Sequence, residues 1–180
     1  MAGTGRDTAD TGKEIREQIS LLSDPLIEKR HAAIAALREI GEPAVQPLIA
    51  ALAGAPDNDH RWYAAIALSR IGEPAIIPLV MAMERITDRE FRRYAAAALG
   101  EIGEPAVDTL IDGMASGDRE LRGFLSQALC RIGKAAVEQL TRRLDDTDET
   151  IRQCATLTLW KMGENGLSEV VKKVSGEEPE

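Results

Sequence analysis

Arginine recurs at Arg30, Arg61, Arg92, Arg122 and Arg152, and an aspartate stands four residues before the last four of them, at Asp57, Asp88, Asp118 and Asp148. A regular file of guanidinium groups could hold phosphate. Four residues apart on a helix, Asp and Arg can instead pair with each other, or an arginine can pair with the aspartate of the next unit. The pattern persists whatever else varies around it, so the spacing assigns it to a structural ladder. The aspartates are expected to cap helices, their carboxylates accepting from free backbone N–H groups. Asp24-Pro25 occupies the corresponding place ahead of Arg30.

Other chemistry is sparse. The chain contains no HExxH, GxxxxGK[ST] or GxSxG and no zinc-type Cys/His spacing. Its two histidines, His31 and His60, are read as surface or packing residues. Cys130 and Cys154 lack CxxC spacing and read as half-buried thiols of a reducing, cytoplasmic compartment. No metal, cofactor or catalytic residue is expected, and the chain reads as a non-enzyme.

The aromatics are few and clustered. Six Phe, Tyr and Trp residues serve 180 positions, and all six lie on the arginine-bearing segments. Trp62, Tyr63, Tyr94 and Phe124 fall nine or ten residues before a recurring glycine in three consecutive units. Such rings can fill gaps between helices or anchor a partner. Phe91 reads as core, and Trp160 is expected against a C-terminal cap. Asp59, Arg70, Arg89, Glu90, Arg93, Glu101, Arg119, Glu120 and Arg131 surround the cluster, a nearly balanced patch on an acidic chain. The favoured reading is a partner-binding surface of His31, Trp62, Tyr63, Ile66, Arg89, Glu90, Arg93, Tyr94, Phe124 and Gln127.

These residues must be positioned by repeated elements. "IGEPA" occurs at Ile40, Ile71 and Ile102, drifts to "IGKAA" at Ile132, and becomes "MGENG" at Met162. The glycines, Gly41, Gly72, Gly103, Gly133 and Gly163, step by 31, 31, 30 and 30 residues, the mark of a solenoid. Four residues before each stands a leucine: Leu37, Leu68, Leu99, Leu129 and Leu159. In "DREFRRYAAAALGEIG", Phe91, Ala95, Leu99 and Ile102 share one helical face. Gly103 is expected to end that helix in a left-handed conformation. Pro105 suits the first turn of the next, whose apolar face is Val107, Leu110, Ile111 and Met114. Pro47 and Pro78, six residues past their glycines, are expected to kink helices from the inside. Thr109 and Glu138 replace them later.

The pattern "D-x-x-(apolar)-R-x-x-A-A-x-A-L-x-x-I-G-x-x-A-(apolar)-x-x-L" resembles HEAT repeats, most closely the short regular variety of the phycobilisome-lyase type. The resemblance covers residues 12–174. It implies an all-α, right-handed α-solenoid of about five helix pairs with terminal capping helices. It also implies that the arginine-bearing helices line the concave side. The paired His-Glu dipeptides of the HEAT-like hydroxylase are not present, since the sequence reads His31-Ala32 and His60-Arg61. The basic inner surface of HEAT-like DNA glycosylases is also missing.

Domain limits are expected at 1–10 for a flexible tail, 11–174 for a single repeat domain, and 175–180 for an acidic tail. Thr11–Ser23 and Gly163–Val174 are the capping half-units. A net charge of −8 argues against nucleic acid. The apolar runs are too short for a membrane, and the N-terminus is not a secretory signal. The function expected is a protein- or peptide-binding scaffold, monomeric or weakly dimeric. The alternatives are a bilin-lyase-like subunit or chaperone holding a tetrapyrrole or phycobiliprotein, and an engineered or consensus-like repeat protein.

Overall fold

A computed structural model describes residues 8–163 together with Gly166, Ser168 and Val171. Every regular element among them is helical: α1 (Thr8–Leu21), α2 (Ile27–Ile40), α3 (Val45–Ala53), α4 (Asn58–Ile71), α5 (Ile76–Arg85), α6 (Arg89–Ile102), α7 (Val107–Asp112), α8 (Arg119–Ile132), α9 (Lys134–Arg142) and α10 (Glu149–Lys161), with short 3₁₀ turns between them. The fold class is all-α, built as successive helix pairs. Helix α1 begins at Thr8, so Thr8–Asp10, placed in the tail by sequence, belong to the first helix. Most of the expected C-terminal cap, including Leu167, Val170 and Val174, lies outside the described residues.

The chain divides into two compact units, Met1–Pro78 and Leu79–Glu180. In the first, α1 packs on α2, and α4 packs on both α2 and α3. Its core holds Leu37, Leu48, Leu52 and Leu68. In the second, α8 lies against α6, α7 and α10, over a core that includes Phe91, Leu99, Leu110, Ile111 and Met114. The five leucines four residues before the glycines are all fully buried. Each such burial is worth roughly 1.5–3 kcal/mol, which explains why the repeat keeps a leucine there.

The same leucines help to end the helices. The N–H of Gly41, Gly72, Gly103 and Gly133 donates to the carbonyl of Leu37, Leu68, Leu99 and Leu129 at 3.0, 3.3, 3.3 and 3.1 Å. The backbone is not the left-handed helical one expected. Gly103 has φ 86° and ψ −144°, and the other three lie close to it. That region is open essentially to glycine alone, whereas Asn tolerates the left-handed helical region.

The proline after three of these glycines shapes the next step. Glu42–Ala44, Glu73–Ala75 and Glu104–Ala106 each form one 3₁₀ turn before the following α-helix starts. In the fourth unit Ala135 replaces the proline, and α9 begins directly at Lys134. Pro47 and Pro78 are the third residues of α3 and α5. They therefore stand in a first turn, where the N–H has no helical partner to lose. The expected mid-helix kink is corrected: the change from 3₁₀ to α geometry resets the helix start to just before each proline.

Candidate functional site

Among the described residues, no helix is long and apolar enough to cross a membrane, and no group of three or more His, Cys, Asp and Glu could hold a metal ion. The arginine-bearing helices α2, α4, α6, α8 and α10 carry the ladder and the aromatic residues singled out by sequence.

The ladder itself is structural in its geometry. Arg30 Nε donates to the Asp24 carbonyl at 2.5 Å, Arg92 Nε to Ile86 at 3.1 Å, Arg122 Nη1 to Ser116 at 2.6 Å and Arg152 Nη1 to Asp146 at 2.5 Å. Each acceptor lies six residues upstream, in the loop that leads into the helix. The arginine thus ties down a loop whose carbonyls would otherwise lack partners. Arg61 differs, reaching only Asn58 Oδ1 at 3.5 Å. The aspartates cap. Asp57 accepts from His60 N, Asp88 from Phe91 N, Asp118 from Glu120 N and Leu121 N, and Asp148 from Thr150 N and Ile151 N. Capping rather than pairing with the arginine of the same helix occupies these carboxylates. Pairing to the next repeat is seen at Arg30–Asp59, 2.7 Å, and at Arg92–Asp118, 2.8 Å. The N–H of Leu121, and then the Arg92 guanidinium, hold the Asp118 carboxyl below its usual pKa.

The aromatic cluster separates into buried and open rings. Tyr63 and Phe124 are only 9% and 6% exposed, so both contribute packing rather than an open face. Arg30 stacks over the Tyr63 ring with Cζ 4.7 Å from its centroid. Phe91 is buried, as expected. Trp62 is 47% exposed on α4 of the first unit, where His31 is exposed and Ile66 half-buried. Trp160, expected against a cap, is 62% exposed. Tyr94 is half-buried, with the Arg93 guanidinium 4.8 Å above its ring.

In the second unit the structure brings several expected residues together. Arg93 pairs with Glu90 along α6. Arg89, strongly exposed, approaches Glu120 of α8 at 3.8 Å, and Arg131 pairs with Glu101 at 2.8 Å. Between α6 and α8 runs a groove of about 160 Å³ lined by Arg93, Ala96, Ala97, Gln127, Ala128 and Arg131. The small alanines form its floor and the long polar side chains its rims. The groove has space on the scale of one side chain, with polar groups beside it.

A second groove, of about 350 Å³, lies between α8 and α10. Arg119, Arg122, Ser126, Cys154, Thr158 and Lys161 are among its lining residues. Sequence reasoning passed over it. The signal was nonetheless present at one position: Thr158 stands five residues before its glycine, where the other four repeats place alanine, and Ser126 stands seven before, where two repeats place alanine. Burial pushes the Cys130 and Cys154 thiols up, with Lys161 opposing the shift at Cys130 and Arg122 opposing it at Cys154.

Comparison with known proteins places the chain by its repeats. The HEAT repeats family model matches residues 15–100 and 45–122. No curated protein matches the chain. Similar solved structures include an engineered protein of a structural genomics consortium, 22% identical, with TM-score 0.38, covering 88% of this chain and 84% of that one. Another is a designed armadillo repeat protein in complex with the peptide (KR)4, 18% identical, with TM-score 0.35 and coverage of 93% and 94%.

Proposed function

The chain belongs to the HEAT-repeat family, and from that premise we propose that it is a non-catalytic scaffold that binds a peptide or protein segment on its arginine-bearing helices. The α6–α8 groove carries the reading. Its floor is alanine, its rims are Arg93, Gln127 and Arg131, and Tyr94 stacks beneath Arg93 at its edge. Arg89 and Glu90 extend the polar rim. A half-buried ring under a guanidinium combines two of the three residue types most enriched at interface hot spots. Glu90, Glu101 and Glu120 pair with Arg93, Arg131 and Arg89 around the groove, and the charge they balance suits a peptide with polar side chains better than a nucleic-acid backbone. In the first unit, the exposed Trp62 with His31 and Ile66 offers a separate anchor.

Phe124 and Tyr63 have no part in capture, because their rings are buried. The test is selection of a random peptide display library on the full chain and on the variant Arg93→Ala with Tyr94→Ala and Gln127→Ala. The wild type is expected to enrich a related set of sequences that the variant does not. Circular dichroism checks that the variant keeps its helicity. Equal enrichment by both proteins, or none by the wild type, defeats the reading.

A further inference from the structure

The α8–α10 groove differs from its neighbour in charge. Arg119, Arg122 and Lys161 line it, and among the described residues its lining has no carboxylate, on a chain of net charge −8. Arg119 makes no hydrogen bond or ion pair among the described residues. Among the described residues Lys161 reaches only Ser126 Oγ, at 3.5 Å. Arg122 uses Nη1 on the Ser116 carbonyl, which leaves the rest of its guanidinium on the groove side, near Cys154. Described acids flanking the groove have partners of their own, and the charge of Asp148 is felt at Cys154. Asp148 caps α10, Glu149 accepts from Gln153 at 2.9 Å, and Glu120 faces Arg89 and Arg92.

Two further features are not explained by stability. Thr158 donates to Ser126 Oγ at 3.0 Å, a buried hydroxyl pair on the groove wall, with Thr158 at the place where the other four repeats have alanine. Gly123 lies inside α8, and a Cβ built there meets nothing within 4 Å. Neither packing nor a positive φ requires glycine at that position. It costs helix stability, and what it provides is open space in the groove.

We propose that the α8–α10 groove binds a phosphate group, with Arg119, Arg122 and Lys161 as charge-assisted donors and Gly123 leaving the volume. The ligand is either free phosphate or a phosphorylated side chain of a peptide. The site is distinct from the α6–α8 groove, and it stands or falls without the peptide reading.

The test is an amide-resolved NMR titration of the full chain with inorganic phosphate, against sodium chloride at equal ionic strength. A peptide carrying one phosphoserine and its serine and aspartate counterparts form the second arm. Phosphate is expected to shift Gly123, Ser126 and Cys154 saturably, and chloride is not. Arg119→Gln with Lys161→Gln should weaken binding about tenfold or more, and Gly123→Glu should abolish it. Neither variant removes a side chain that packs. Binding of the phosphoserine peptide together with phosphate identifies a peptide source, and binding of phosphate alone identifies the free ion. Equal shifts with chloride, unchanged affinity in the double variant, or equal binding of the aspartate and phosphoserine peptides overturns the proposal.

Discussion

Arg92 of one repeat reaches Asp118 of the next, with Nη2 2.8 Å from Oδ2, while its own Nε holds the carbonyls of Met83 and Ile86 at 2.9 and 3.1 Å. A single side chain, 1% exposed, thus secures the loop before its helix and the cap of the following one. Hydrogen bonds from a charged donor to buried acceptors are worth more than neutral ones. Arg92→Ala is therefore expected to cost about 2–4 kcal/mol, because two carbonyls lose their donor and a carboxylate loses its counter-charge. Arg89, 80% exposed and 3.8 Å from Glu120, provides the contrast. Arg89→Ala should stay within about 0.5 kcal/mol of wild type. Urea unfolding of the two variants measures the difference, and equal costs would contradict the ladder assignment.

The aromatic cluster can be sorted by the same measurement. Phe124→Ala removes a buried ring and should cost about 3–5 kcal/mol. Trp62→Ala, at a ring nearly half exposed, should cost about 1 kcal/mol or less. A large loss at Trp62 would place that ring in the packing as well.

Three glycines should respond to alanine in different ways. Gly123→Ala adds a methyl into open space within a helix and should stabilise by about 0.5–1 kcal/mol. Gly100→Ala drives a Cβ to 2.6 Å from Arg131 Cδ and 3.0 Å from its Cβ, which forces α6 and α8 apart or dislodges the Arg131–Glu101 pair. It should cost about 1–3 kcal/mol. Gly72→Ala meets no atom within 4 Å but sits at φ 83°, so its cost, about 1–3 kcal/mol, is backbone strain alone. Thermal unfolding should rank the three in that order of sign, with only Gly123→Ala melting higher than wild type.

Acid should unfold the protein through its loop carboxylates. Asp24, Asp57, Asp118 and Asp146 are each held below the ordinary pKa, in the first place by the backbone N–H groups of Leu26, His60, Leu121 and Asp148. A carboxyl whose folded pKa is depressed adds stability that is complete above the unfolded value, about 4. That stability is lost as pH falls through the lower folded values. Stability at a fixed urea concentration should therefore be flat down to about pH 5 and fall steeply below about pH 4. Asp118→Asn can still accept from Leu121 N but carries no charge for Arg92, so it should be less stable at neutral pH and show a shallower acid limb. An acid limb as steep as that of wild type would argue against the Asp118 contribution.

The helix pairs were legible because their signals are local and repeated. A glycine every 30 or 31 residues, a leucine four before it and a capping aspartate fifteen before it mark boundaries through backbone conformation and apolar periodicity. The site was only partly legible. Two residues in the same register, Tyr63 on α4 and Tyr94 on α6, differ in burial, with Tyr94 the more open. Trp62 and Tyr63 are neighbours in sequence yet point to different environments. The groove at Ser126 and Thr158 depends on a hydrogen bond between residues 32 apart, and no local pattern predicts such a bond.

The sequence by itself determined the all-α repeat, its period, its helix ends and its buried leucines, because each of these follows from the conformational preferences of a residue and its near neighbours. The tertiary structure decided how the ladder arginines are spent, which rings are open, and where the cations gather. Those outcomes depend on which side chains of neighbouring helices meet: Arg92 meets the carbonyls of Met83 and Ile86 as well as Asp118, and among the described residues Arg119 and Lys161 meet no carboxylate.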